Sequence, residues 1–154
     1  MNQKLLLVGC GKMGSALLTG WLGRDIDDTD VIVVEPSGGS FLQKRFNVPV
    51  INSLDKLNVE FKPNIIVFAV KPQAMDQIIP NYGHFVAPET MFLSIAAGKP
   101  TDYFQHRLGD GASVVRSMPN TPAAIGRGIT VAYRNDAVSD AQKIIATKLL
   151  GAVG

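Results

Sequence analysis

Four short apolar runs punctuate the chain: Leu5–Val8, Val31–Val34, Ile65–Val70 and Met91–Ile95. They are continuous rather than alternating, the pattern of strands covered on both faces by helices. A fifth, Ser113–Val115, leads into Arg116 and then a proline-broken segment. The stretches between them carry helical spacing. Met13, Leu17 and Trp21 recur every four residues beside Leu18 and Leu22, one apolar stripe that ends at Gly23, a residue suited to a C-terminal cap. Ser40–Phe46 predicts a short helix with Phe41, Leu42, Arg45 and Phe46 at mixed spacing. Segments 73–80 and 101–107 follow Pro72 and Pro100, and proline is tolerated in or before a first helical turn. Farther on, Ser139 and Gln142 have capping-box spacing, and Ala141, Ile145 and Leu149 form a face before Gly151. Alternation of strand and helix predicts an α/β fold with a mainly parallel sheet and right-handed crossovers.

Composition narrows the choices. A length of 154 residues suits one domain spanning 1–154. No apolar run approaches the roughly 20 residues of a membrane span, and Leu5–Val8 is too short for a signal peptide, so a soluble, cytoplasmic protein is expected. The net charge of +2 is spread along the chain without the dense basic cluster that tracks a phosphate backbone, which argues against nucleic acid as a partner. Cys10 is the single cysteine, with no Cys or His at metal-ligand spacing, so it reads as a buried, reduced thiol and no metal site is expected. His84 and His106 are isolated on polar segments and read as surface residues. The sequence stops at Gly154, three residues past the predicted end of the last helix, with Ala152 and Val153 resuming an apolar pattern. A longer parent is the expectation.

The chemistry concentrates at Gly9-Cys10-Gly11-Lys12-Met13-Gly14, which follows the first predicted strand and opens the first predicted helix. At such a turn, unpaired backbone amides and the helix dipole attract anions, and side chains would obstruct a pyrophosphate. Gly9 then allows the tight turn, Gly11 lets the backbone approach the phosphates, and Gly14 lets helix and strand pack closely. Glu35 lies 21 residues beyond Gly14 at the end of the second apolar run, where an acidic residue accepts the adenosine ribose hydroxyls. Together these predict a Rossmann-type, doubly wound dinucleotide-binding domain for NAD(H) or NADP(H). Glu35 would repel a 2′-phosphate and no arginine follows it directly, which favours NADH, while Ser37 and Ser40 with the glycines between them offer a polar pocket that could still take phosphate.

Ligands of open parallel sheets bind at the carboxyl ends of strands. Two such ends carry small residues or a rigid turn: Ala69-Val70-Lys71-Pro72 and Ala96-Ala97-Gly98. Lys71 reads equally well as a solvated surface lysine. The segment Arg116-Ser117-Met118-Pro119-Asn120-Thr121-Pro122 is the most distinctive, because two prolines bracket Asn120 and Thr121 in a stiff loop.

With G-C-G-K-M-G at Gly9–Gly14, A-V-K-P at Ala69–Pro72, S-I-A-A-G at Ser94–Gly98 and R-S-M-P-N-T-P at Arg116–Pro122, in that order, the chain resembles the N-terminal half of pyrroline-5-carboxylate reductase over essentially its whole length. The resemblance implies NAD(P)H-dependent reduction of 1-pyrroline-5-carboxylate to L-proline in proline biosynthesis. It implies that Gly9, Cys10, Gly11, Lys12, Met13 and Gly14 hold pyrophosphate. It further implies that Ala69, Val70, Lys71, Pro72, Ala96, Ala97 and Gly98 line the nicotinamide side, and that Asn120, Thr121 and Pro122 border the substrate. No residue stands out as a catalytic proton donor, and a protonated imine is already electrophilic. Glu35 departs from the family, many members of which carry a small hydroxyl residue there. The family's C-terminal helical domain, which makes the homo-oligomer and supplies most substrate contacts, is absent from these residues, so the 154 residues by themselves are expected to turn over weakly or not at all. Two alternatives remain beside this reading. One is another reductase of the superfamily, such as a 3-hydroxyacid dehydrogenase or an F420-dependent NADP reductase, which would share the glycine loop but not M-P-N-T-P. The other is a dinucleotide-binding module without turnover.

Overall fold

The apolar runs become the centre of a seven-stranded sheet in the computed structural model, which describes residues 3–24, 31–118, 127–128 and 130–154. The strands are β1 (Leu5–Val8), β2 (Val31–Val34), β3 (Val50–Ile51), β4 (Ile65–Phe68), β5 (Met91–Ser94), β6 (Ser113–Met118) and β7 (Val131–Arg134). Their spatial order is β3-β2-β1-β4-β5-β6-β7, with β1 to β6 parallel and β7 antiparallel to β6. The first six follow the doubly wound order of dinucleotide-binding domains, in which the chain reverses direction across the sheet between β1 and β4. A crevice opens at the carboxyl ends of those two neighbours, which is where the glycine loop leaves β1.

The central strands read as continuous hydrophobic runs because each face meets its own helical layer. Leu5 and Leu7 face one core with helices α1 (Lys12–Leu22), α2 (Gly39–Phe46) and α5 (Asp140–Gly151). Leu6 and Val8 face the other, with α3 (Met75–Ile78), the 3₁₀ segment Ile79–Phe85 and α4 (Thr101–Leu108). In the second core Phe68 is stacked with Phe92 and Phe104 and meets Tyr82 edge-on. On the first face, the predicted α1 stripe is buried through Leu17, Leu18 and Trp21 and closes at Gly23. The Trp21 indole donates to the Leu149 carbonyl at 2.9 Å, tying α1 to α5. Gly20 permits that approach, since a Cβ there would sit 2.6 Å from the Ala152 carbonyl oxygen.

Several expectations need correction. The predicted helix over 73–80 is three pieces, a 3₁₀ turn at Pro72–Ala74, the four-residue α3, and the 3₁₀ segment from Ile79. Pro80, which has no N–H to donate, falls where a continuous α-helix would need one. Strand β6 does not stop at Val115 but continues to Met118, because β7 pairs with its second half in the register Val115 to Arg134 and Met118 to Val131. On α5 the Ser139–Gln142 capping box forms, yet Ala141 is exposed and Gln142 buried. The Gln142 side-chain amide donates to the Pro88 carbonyl at 3.1 Å, so the inward face starts at the capping glutamine and runs through Ala146, Leu149 and Leu150.

Candidate functional site

The three glycines of the loop do three different things. Gly9 has φ +86°, and a Cβ on it would fall 2.7 Å from Val70 Cγ1 and 2.8 Å from the Ala69 carbonyl oxygen. Gly14 packs α1 against the loop, where a Cβ would lie 2.9 Å from the Gly9 carbonyl oxygen and 3.3 Å from Ala69 Cβ. A Cβ at Gly11 would meet nothing within 4 Å. Gly11 is also the N-cap of α1, with no side chain capping the first turn and no acidic residue in it. The leading amides of an α-helix have no intrahelical acceptor, so the one glycine without a packing role borders an open, uncapped, electropositive helix start.

The amides before Gly11 are already engaged. Gly9 N–H donates to the Val34 carbonyl at 2.9 Å, and Cys10 N–H donates to Glu35 Oε1 at 3.0 Å. The other carboxylate oxygen, Oε2, lies 3.4 Å from the Ser37 amide nitrogen. The Cys10 thiol is buried, 3.5 Å from the Ser15 hydroxyl. Burial pushes its pKa up, the Ser15 hydrogen bond opposes this, and the nearby Glu35 carboxylate adds to the rise.

A cleft of about 1120 Å³ opens beside this loop at the ends of β1, β2 and β4. Of the residues expected at the cofactor, Gly9, Cys10, Gly11, Glu35, Ala69, Val70 and Lys71 line it. Lys71, read ambiguously from sequence, is exposed on its wall. Lys12 is exposed at the start of α1, Met13 packs against the first core, Gly14 is buried, and Ser37 is exposed in the turn after β2. Pro72 opens the 3₁₀ turn behind Lys71. Ala96, Ala97 and Gly98 form a separate turn beyond β5, outside the cleft lining. That turn is held by Ala96 N–H donating to Ser94 Oγ at 3.2 Å, while Ser117 Oγ donates to the Ser94 carbonyl at 2.9 Å. Asn120, Thr121 and Pro122 lie outside the described residues.

Sequence reading missed the far wall of the cleft. Leu54, Leu57 and Phe61 from the segment after β3 face Ile78, Tyr82 and Phe85 from the segment after β4, with Asn58, Asn81 and His84 among them. His84 is exposed, as expected, but its ring lies 4.0 Å from that of Phe85, so it belongs to the cleft rather than to open surface. The two segments carry no common periodicity; only the crossover from β3 to β4 brings them together.

The family described as NADP oxidoreductase coenzyme F420-dependent matches residues 4–98, which include the glycine loop, Glu35, Ala69–Pro72 and Ala96–Gly98. The chain belongs to this family. It is 30% identical over 159 aligned residues to the pyrroline-5-carboxylate reductase of Mycobacterium tuberculosis, an alignment covering 98% of this chain and 53% of that protein. Among solved structures, a Plasmodium falciparum pyrroline carboxylate reductase with NADP bound is 27% identical with a TM-score of 0.84, covering 99% of this chain and 56% of that one. A Coxiella burnetii pyrroline-5-carboxylate reductase shares the fold with a TM-score of 0.92 at 23% identity, over 100% of this chain and 57% of that one. The family member described here therefore spans about half the length of the curated relatives it matches.

Proposed function

We propose that residues 1–154 form the dinucleotide-binding domain of an NAD(P)H-dependent pyrroline-5-carboxylate reductase, the half that holds the cofactor while 1-pyrroline-5-carboxylate is reduced to L-proline. The observation that carries the cofactor reading is the open, uncapped helix start at Gly11 beside the cleft. The substrate reading is supported by similarity to proteins named pyrroline-5-carboxylate reductase, which continues past the family match at residue 98.

In this reading the pyrophosphate rests on the amides from Gly11 to Gly14, with Lys12 adding positive charge. The adenosine ribose meets Glu35, and the adenine lies in the apolar wall of Leu54, Leu57, Ile78 and Phe85. The nicotinamide passes Ala69–Pro72 and reaches the turn at Ala96–Gly98, where small side chains leave room for it. Asn120, Thr121 and Pro122 border the imine. The cofactor, when bound, supplies the hydride. The chain's task is to fix the distance and angle between nicotinamide and imine, and holding two reactants in register removes several kcal/mol of barrier, on the order of 7–11 in well-oriented cases.

NADH is the preferred form, because the Glu35 carboxylate stands where a 2′-phosphate would add like charge. Arg45, the nearest arginine downstream, is stacked on the Phe46 ring with its Cζ 4.7 Å from the centroid. We further assign the protein to the cytoplasm, and its parent to a homo-oligomer assembled through a C-terminal domain.

Calorimetric titration with NADH and NADPH, followed by an imine-reduction assay, tests the proposal. The 154 residues are expected to bind NADH more tightly than NADPH and to turn over little substrate by themselves. Gly11→Val is expected to lose at least about a hundredfold in affinity with the fold intact, since its side chain would occupy the phosphate position. Unchanged affinity in that variant would refute the pyrophosphate placement.

A further inference from the structure

Glu35 is attached to the glycine loop as well as facing the cleft. Its Oε1 accepts the Cys10 amide at 3.0 Å across 25 residues of sequence, while Oε2 stands 3.4 Å from the Ser37 amide. Cys10 and Glu35 both line the cleft, and Glu35 is part-buried there. Hydrogen bonds to an ionised acceptor are about twice as strong as neutral ones. This one spans the carboxyl ends of β1 and β2, where no ladder bond between the two strands remains beyond Gly9 N–H to Val34.

We propose that Glu35 is a positioning residue for the pyrophosphate cradle: its carboxylate holds the Cys10 amide, and with it the loop conformation that leaves the amides from Gly11 onward free, while its second oxygen, 3.4 Å from the Ser37 amide, would be the one to meet the adenosine ribose. The inference rests on the cofactor reading above and deepens it. A residue that only reads the ribose could be exchanged to admit a 2′-phosphate at no cost to the loop. A brace can be exchanged without that cost only for a side chain that keeps an acceptor oxygen at the same reach. Charge and bracing are nevertheless separable. Glutamine keeps an acceptor oxygen at the same reach and drops the negative charge, aspartate keeps the charge and falls one methylene short, and alanine loses both.

The test uses the 154-residue chain and two readouts, exchange of the Cys10 amide hydrogen measured without ligand, and affinity for inorganic pyrophosphate and for ADP-ribose. The Cys10 amide is expected to be protected in the wild type and, less strongly, in Glu35→Gln, whose acceptor is neutral. In Glu35→Ala and Glu35→Asp it is expected to exchange about tenfold faster or more, with a matching loss of pyrophosphate affinity. Glu35→Gln is also expected to bind 2′,5′-ADP better than the wild type does, while keeping its pyrophosphate affinity. If alanine prevents folding, the Gln and Asp pair decides the matter. Equal Cys10 exchange in the wild type, Gln and Asp proteins, or a loss confined to ADP-ribose with pyrophosphate binding intact, would overturn the brace. If the wild type binds neither pyrophosphate nor ADP-ribose, the cofactor reading itself fails, and the exchange measurement still reports on the hydrogen bond.

Discussion

The two flanks of β4 and β5 are built from similar residues and do different things. On the side of β1 and β2, valines and leucines are sealed between two helical layers, and their carboxyl ends open onto a cleft. On the side of β6 and β7, Val131 is 72% and Tyr133 64% exposed, Met118 stands 47% exposed opposite Val131, and all four residues of β7 are exposed. Burial on the first side is enforced by backbone contacts close enough to exclude any side chain at Gly9 and Gly14. Strands β6 and β7 contain no glycine and so carry no such constraint themselves. Sequence tolerance should therefore differ sharply between the two sides, and substitutions can measure the contrast.

The largest effect is expected at Gly9. Gly9→Val combines a left-handed φ with a Cβ clash against the Ala69 carbonyl, and together these should cost about 3 kcal/mol or more. Denaturant unfolding should show a fall in midpoint, and a stable Gly9→Val protein would mean that the loop can adopt another path. Next comes Gly20→Ala, away from the cleft, where the added methyl meets the Ala152 carbonyl. A loss of roughly 1–3 kcal/mol is expected from overpacking. NADH affinity in the folded protein should be unchanged, and a parallel loss of affinity would show that the α1–α5 contact governs the site.

A smaller, pH-dependent effect belongs to Cys10. Its thiol pKa is raised above the ordinary 9.0 by burial, so the folded state favours the neutral thiol. The associated stability is fully present below that value and is lost as pH rises through the folded pKa. Cys10→Ser should flatten the alkaline limb of a stability-against-pH curve, and an identical limb in both proteins would argue against a buried thiol. The smallest effect is expected at Tyr133→Ser on the outer strand, within about 0.5 kcal/mol of the wild type. A larger drop would mean that this edge is packed in solution.

How much of this was legible in the sequence follows the same division. Leu5–Val8 and Ile65–Val70 announce themselves because burial on both faces demands unbroken apolar runs, the second holding strand Ile65–Phe68, and Gly9, Gly11 and Gly14 fall within one local turn. The Ser139–Gln142 capping box was equally local. Strand β7 gave no signal, since V-A-Y-R is exposed and held by pairing with β6 rather than by a hydrophobic face. The two-residue β3 was too short to carry one. Glu35 was recognisable as an acid at the right spacing, but its bond to Cys10 depends on how two strand ends meet in space. The apolar wall from Leu54 to Phe61 and from Ile78 to Phe85 was hidden for a similar reason: irregular segments have no periodicity from which a shared surface can be read.

The most direct test of the central claim is a backbone amide NMR titration of the chain with NADH. The largest shifts are expected at Gly11, Lys12, Met13 and Gly14, with a second group around Glu35 and Ser37. Shifts that leave those amides in place while others move, or no saturable shift at all, would contradict it.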